Sequence, residues 1–276
     1  MKSTVNIDTS KLLKRMDRYA EVTGKSVSSS LRRGARLLAV NLATSTPPYG
    51  RNQAAKKLGE QAVQNDISRV YTPLTPMQGK YPSKQLSFRE QVEKFVTKDH
   101  RLREALLSSI DGHDLSKLNC ILKNVEGFSK LNVSKGVNLS IYQKTRNEYG
   151  RVRKGWKSRE IVSEVGELQS FIAKKQNLVG LSKAGWASAA LKVNADVKDA
   201  LRGIPAWVKK QLEKAVSQVI DQSAGGLPLI TLTSRIPWAD KALRASDYKD
   251  AMRISREKFY KSLGTEIRHA LKKVPA

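Results

Sequence analysis

A helix-rich α+β fold is predicted, with a helix pair at the N-terminus, a small β-sheet and a long C-terminal helix. Apolar residues recur at helical spacing near both ends of the 276-residue chain, and one stretch, Leu227 to Thr233, alternates as a strand does. There is no visible repeat of 20–50 residues and no low-complexity tract, so a solenoid or a disordered tail is not indicated. Helices grouped at both ends with a few strands between them are the pattern of an α+β protein.

Val5 and Ile7 alternate with polar neighbours and predict a short strand or extended arm. Thr9 or Ser10 can cap a first helix carrying Leu12, Leu13, Met16, Tyr19 and Ala20, closed by Gly24. A second helix starts near Ser26 or Ser28 with Val27, Leu31, Ala35, Leu38 and Leu42 on one stripe. It must stop at Thr46-Pro47-Pro48-Tyr49-Gly50, because proline has no N–H to donate and clashes with the preceding turn. Ala54 to Val70 reads as a third helix. Thr72-Pro73, Thr75-Pro76 and Tyr81-Pro82 then mark an extended loop. Helix returns from Phe88 to Ser109 with a break near Lys98-Asp99, followed by a Gly- and Asn-punctuated stretch to about Gly136. Cys120, in the apolar stretch Leu118, Ile121, Leu122, is expected to be a small buried hydrophobe.

Val137, Leu139 and Ile141 alternate and predict a strand, as do Ile161 and Val162. Helices are expected over roughly 167–175, 181–192 and 205–222. The last has Pro205 in its first turn and Trp207, Val208, Leu212, Ala215, Val216 and Val219 at helical spacing. Gly225-Gly226 ends it before the strand at 227–233. A final helix from Asp247 to about Lys273 puts Tyr248, Met252, Phe259, Leu263, Ile267, Ala270 and Val274 on one face. The domain reading is an N-terminal arm and helices over 1–71, an insertion or subdomain over 72–136, and strands, a basic loop and C-terminal helices over 137–276.

Charge narrows the partners. The chain has 51 Lys+Arg against 25 Asp+Glu, a formal net charge of +26, and a protein this basic repels itself unless something anionic lies beside it. Nucleic acid, an acidic protein and an anionic membrane are the candidates; a merely tolerated basic surface is the bland alternative. No run approaches the ~18 apolar residues of a spanning helix. The first residues lack a signal-peptide core, so no membrane anchor is expected and the chain is expected in the cytoplasm where it is made. The densest basic run is Lys144, Arg146, Arg151, Arg153, Lys154, Lys157 and Arg159 against one acid, Glu148. Tyr149, Gly150, Gly155 and Trp156 interrupt it, so it reads as a loop or hairpin. Its cations could hold phosphates, with Tyr149 or Trp156 stacking; the alternatives are a solvated hairpin tip or charges that pair with acids on a neighbouring subunit.

No constellation of catalytic residues stands out. His100, His113 and His269 lack metal-binding spacing, one cysteine makes neither a disulfide nor a Cys-rich zinc site, and neither a phosphate loop nor a nucleophile elbow occurs. His113-Asp114 is the nearest thing to an acid–base pair, but a capping role suits it better. No catalytic residue, metal or cofactor is expected.

Three stretches together resemble the minor tail or tail-completion proteins at the head–tail neck of tailed bacteriophages. The first runs from Leu12-Leu13-Lys14-Arg15 through Leu31-Arg32-Arg33-Gly34-Ala35-Arg36 to Thr46-Pro47-Pro48-Tyr49-Gly50. The second is Val179-Gly180-Leu181-Ser182-Lys183-Ala184-Gly185-Trp186, and the third is Leu229 to Ala239, ending Ile236-Pro237-Trp238-Ala239 before the final helix. The similarity covers about 1–71 and 137–274. The chain departs from the pattern at Lys241 to Ser246, where the family has a Gly-Thr-rich segment. The resemblance implies a non-catalytic virion protein, present in host cytoplasm during assembly, that forms a homo-oligomeric ring, expected to be a hexamer, between head connector and tail tube. Neighbouring neck and tail proteins would be its partners, and packaged DNA a further one; an acidic neighbouring ring is slightly favoured because DNA must slide through a neck. Met252, Phe259, Leu263 and Ile267 are then the candidate packing or subunit interface. Among the tryptophans, Trp186 and Trp207 are expected in the core, and Trp156 and Trp238 are open to either role. The reading from a different class is a basic nucleic-acid-binding protein acting alone.

Overall fold

The computed structural model describes residues 3–5, 27–77, 86–147, 150–157, 160–193, 201–224, 229–236 and 238–271. It has the expected helix-rich α+β character, divided into two compact units: residues 1–56 with 180–276, here the terminal unit, and the inserted unit, residues 57–179. The first expected helix, with Leu12, Leu13, Met16 and Tyr19, lies outside the described residues, as do Gly225-Gly226.

In the terminal unit, helix α1 (Val27–Ser45) lays Leu31, Ala35, Leu38, Ala39, Leu42 and Ala43 into the core, the stripe that helical periodicity demands. Helix α2 (Gln53–Ser68) carries the chain from this unit into the insertion. Farther along the chain, α8 (Leu181–Val193) packs on α1 and is buried on nearly every side, its Ala, Gly and Ser residues allowing close approach. A Cβ on Gly185 would lie 2.7 Å from Ser234 Oγ and 3.1 Å from Ile236 Cγ1. Gly180, at φ +89°, sits where any side chain would collide with the Trp207 ring. Trp186 and Trp207 are core residues, as expected. Strands β1 (Ser3–Val5), β5 (Ser217–Gln222) and β6 (Leu229–Ser234) form an antiparallel sheet in the order β1-β6-β5. The long final helix, α11 (Ala245–Leu271), returns along α1.

Lys183 joins two of these helices. Its side chain is only 1% exposed, and Nζ donates to the carbonyls of Ala43 (2.9 Å) and Thr44 (3.1 Å). Those carbonyls would normally accept from residues 47 and 48, both proline. The lysine supplies the two donors the prolines lack, and its burial lowers the amine's pKa from 10.5 to about 8.

The inserted unit is built on a parallel sheet. Strand β4 (Glu160–Val162) lies between β2 (Tyr71–Pro73) and β3 (Asn132–Ser134). The boundaries expected at 72 and 136 differ from this arrangement: β2, β4 and β3 share one sheet within the compact unit 57–179. Between β2 and β3 run α3 (Phe88–Phe95), α4 (His100–Asp111) and α5 (Leu115–Asn124). Ser87 and Glu90 form a reciprocal capping box at α3, and the break near Lys98-Asp99 is where Asp99 caps α4. His113, at φ 52°, turns the chain between α4 and α5, and Asp114 caps α5 by accepting from Lys117 N at 2.9 Å. Helix α5 occupies part of the stretch expected to be irregular. Asn119 on it grips β3, its amide donating to Val133 O (3.0 Å) and its oxygen accepting from Val133 N (2.9 Å). Cys120 is exposed, against expectation: Leu118 and Leu122 take the buried face, and two residues along a helix turn the side chain away.

Two further expectations are corrected. Residues 139–144 form helix α6 (Leu139–Lys144) instead of a strand, because Asn138 Oδ1 accepts from Ser140 N and Ile141 N and starts a helix there. The helix expected over 205–222 is only α9 (Ala206–Lys209) and a 3-10 turn (Leu212–Lys214); Ser217–Gln222 pairs along its whole length with β6. Val216, placed on the supposed helical stripe, is 52% exposed. Helices α7 (Val165–Gln176) and α10 (Ala239–Ala242) complete the described elements.

Candidate functional site

The basic loop follows α6 in the inserted unit, and its shape comes from its own polar anchors. Arg146 and Val152 form an antiparallel bridge. Asn147 N donates to Arg151 O at 2.8 Å, Asn147 Oδ1 accepts from Arg151 N at 3.0 Å, and Arg153 N donates to Thr145 O at 2.9 Å. Asp66, on α2, accepts from Val152 N at 3.1 Å and also holds the Arg146 guanidinium in an ion pair. Gly150 and Gly155, at φ +71° and +83°, take the left-handed turns that let the strip reverse.

Arg146, expected on the contact surface, is instead turned inward. Its side chain is 12% exposed, and its guanidinium carbon lies 3.6 Å from the Tyr142 ring centroid. Tyr142 stacks with Tyr71 and meets Phe171 edge-on at 5.1 Å; burial raises the pKa of both tyrosines, Tyr71 to about 12. Trp156 packs half-buried against the same apolar cluster, which holds the buried Val152. The sequence identified these residues by charge and aromaticity, but only their neighbours decide which way they turn. Arg146→Ala is expected to destabilise the inserted unit by about 2–4 kcal/mol, since it strands Asp66 and removes the stacked cation. Arg146→Lys should not restore it, because an ammonium cannot stack and pair in the same way. Arg151→Ala should cost under about 0.5 kcal/mol. Denaturant unfolding followed by tyrosine and tryptophan fluorescence measures all three.

The remaining cations face outward. Lys144, Arg151, Arg153, Lys154 and Lys157 are exposed, and none makes an ion pair among the described residues. Exposed Arg69 joins them, its Nη2 donating to Arg153 O at 3.4 Å. Asp66, the nearby acid on α2, is taken up by Arg146. Arg159, Tyr149 and Glu148 lie outside the described residues.

The second candidate surface, on α11, divides in two. Phe259 and Leu263 are 7% and 5% exposed and belong to the core of the terminal unit; Met252 and Ile267 are half-buried at its edge. A Cβ on Gly34 would meet the Phe259 ring at 3.3 Å, so the glycine lets α1 and α11 approach. Beside this contact is a groove of about 420 Å³, lined by Leu31 and Leu38 from α1 and by Tyr248, Met252 and Tyr260 from α11. Lys249, Arg253 and Arg256 also line it, and Arg253 pairs with Asp250 (3.5 Å) and Glu257 (3.1 Å). Trp238 is 37% exposed.

Among the described residues no three His, Cys, Asp or Glu side chains gather where they could hold a metal ion, and no helix is long and apolar enough to cross a membrane. No protein-family model, curated protein or solved structure matches the chain.

Proposed function

We propose that the chain is a non-catalytic structural protein of a bacteriophage neck or tail, acting in tail completion or head–tail joining as the subunit of a closed ring. One observation carries the reading: α1, α8 and β6, which carry described parts of the three stretches that resemble that family, pack against one another. Gly34 meets Phe259, Lys183 clasps the end of α1, and Gly185 meets Ser234 and Ile236, all within the terminal unit. Residues 72–136, which have no counterpart in the resemblance, fall in the inserted unit together with 57–71 and 137–179, which the resemblance does cover.

The ring reading gives the groove beside Met252 a neighbouring copy as occupant, through a head-to-tail contact that closes on itself. The test is production of particles in a phage encoding the chain, with and without it. DNA-filled heads and finished tails should accumulate unjoined when the chain is missing, and the chain should co-purify with intact particles. Infectious particles at normal yield without the chain would overturn the reading.

A further inference from the structure

The cationic loop has a solvent face of unusual composition. From Arg151 to Lys157 the apolar residues turn inward: Val152 is 4% exposed, and Trp156 packs on the unit's own core. Outward are Arg151, Arg153, Lys154, Gly155 and Lys157, with Lys144 and Arg69 exposed nearby. The anchors described above hold the backbone of this strip in shape before any partner arrives, so the ordering entropy still to be lost on binding is that of the exposed side chains.

That composition discriminates between partners. The centre of a protein–protein interface is depleted in Lys and built on aromatic residues, Met and Arg set in desolvated pockets. Among the described residues of this strip, Trp156 is half-buried against the unit's own core and Val152 is buried, so no fully exposed apolar side chain is there to anchor a protein. A phosphate backbone asks for something else: exposed Arg and Lys, held in register, with no apolar contact needed. An acidic protein surface, slightly favoured on the sequence alone, fits less well once Trp156 is seen to be packed half-buried on the unit's own core.

We propose that Arg151, Arg153, Lys154 and Lys157 form a binding surface for the phosphate backbone of double-stranded DNA, without base specificity. The surface contacts phosphates only, so its affinity follows counterion release: log K falls with log[salt] by about 0.9 for each phosphate neutralised. A strip of four cations makes a shallow slope, which suits contact with DNA that must still move. The inference concerns the isolated chain and stands or falls separately from the neck reading, which is decided by particle assembly.

The test is fluorescence anisotropy of the full-length chain with a labelled duplex of about 25 base pairs between 50 and 200 mM KCl. The native chain is compared with the triple variant Arg151→Glu, Arg153→Glu, Lys154→Glu and with its neutral counterpart carrying Gln at the same positions. The three residues are exposed, and matched unfolding midpoints check that the fold is kept; should the Glu variant fail to fold, the Gln variant carries the comparison. The expected result is at least tenfold weaker binding at 50 mM KCl for the Glu variant and a salt slope shallower by roughly 3, with a similar loss of slope for the Gln variant. Bound duplex should also protect Lys154 and Lys157 from acetylation, read by mass spectrometry. Unchanged affinity and slope would place DNA binding elsewhere on this basic chain and overturn the proposal. So would undetectable binding of duplex by the native chain at 50 mM KCl, or tighter binding of a labelled Glu- and Leu-containing peptide than of duplex.

Discussion

Phe259→Asp is expected to abolish the native packing of the terminal unit. Phe259 lies in the cluster formed by α1, α8 and the final helix, at 7% exposure, with its ring against Gly34. Truncation to Ala at such a site costs about 3–5 kcal/mol by lost transfer energy and the cavity left behind. A carboxylate adds the cost of burying an unpaired charge, so the total approaches the whole stability of an ordinary domain. Pairing it with Leu263→Asp, at 5% exposure, leaves no route to a folded unit. Met252→Asp is the informative contrast. Met252 is half-buried at the groove, where a carboxylate can reach water, so the isolated chain should stay folded while assembly through that face is lost. Circular dichroism and tryptophan fluorescence of the purified variants read the first effect, and sedimentation velocity reads the second. A soluble Phe259→Asp chain with native thermal unfolding would show that the α1–α11 contact does not hold the unit together.

Lys183→Ala is expected to cost about 3–5 kcal/mol at pH 7, because it leaves the carbonyls of Ala43 and Thr44 without donors and opens a cavity where the lysine stem was. The cost should also depend on pH in a known direction. The folded-state pKa, about 8, lies below the ordinary 10.5, so the unfolded chain binds more protons between those values. Stability contributed by this residue therefore rises with pH from about 8 to about 10.5 and is flat on either side. The full rise is roughly 3 kcal/mol, since each tenfold change in proton affinity is worth about 1.4 kcal/mol. Tyrosines titrate in the same range, so the quantity to follow is the difference between native chain and variant, from denaturant unfolding at pH 7.5, 9 and 10. A difference under about 1 kcal/mol at pH 7, or one that does not grow with pH, would mean that the amine is not the clasp for α1.

What the sequence determined by itself was local. Helices α1 and α11, the break before α4 and the strand β6 follow from periodicity, proline and capping residues, which act over a few neighbours. The stop at Pro47-Pro48 was equally plain, yet the residue that repairs it, Lys183, is 136 residues away from Pro47 and is an ordinary helical lysine until the fold buries it. The same applies to the basic loop. Its charge was visible, but whether Arg146 and Trp156 face outward was decided by Asp66, 80 residues before Arg146, by Phe171 on the following helix and by Tyr142 one helical turn before Arg146. Helix α5 was within reach, since Asp114 precedes Leu115, Leu118, Ile121 and Leu122 at helical spacing, although Gly and Asn on either side obscured it. Segment 217–222 could not be read locally. Val216 and Val219 fit a helical stripe, and only pairing with β6 made the segment a strand, since ladder hydrogen bonds across the sheet outweigh a weak intrinsic preference. The division into units was decided by the same kind of contact: β2, β3 and β4 share one sheet, so residues 71–162 fold as parts of a single unit whatever their composition suggests.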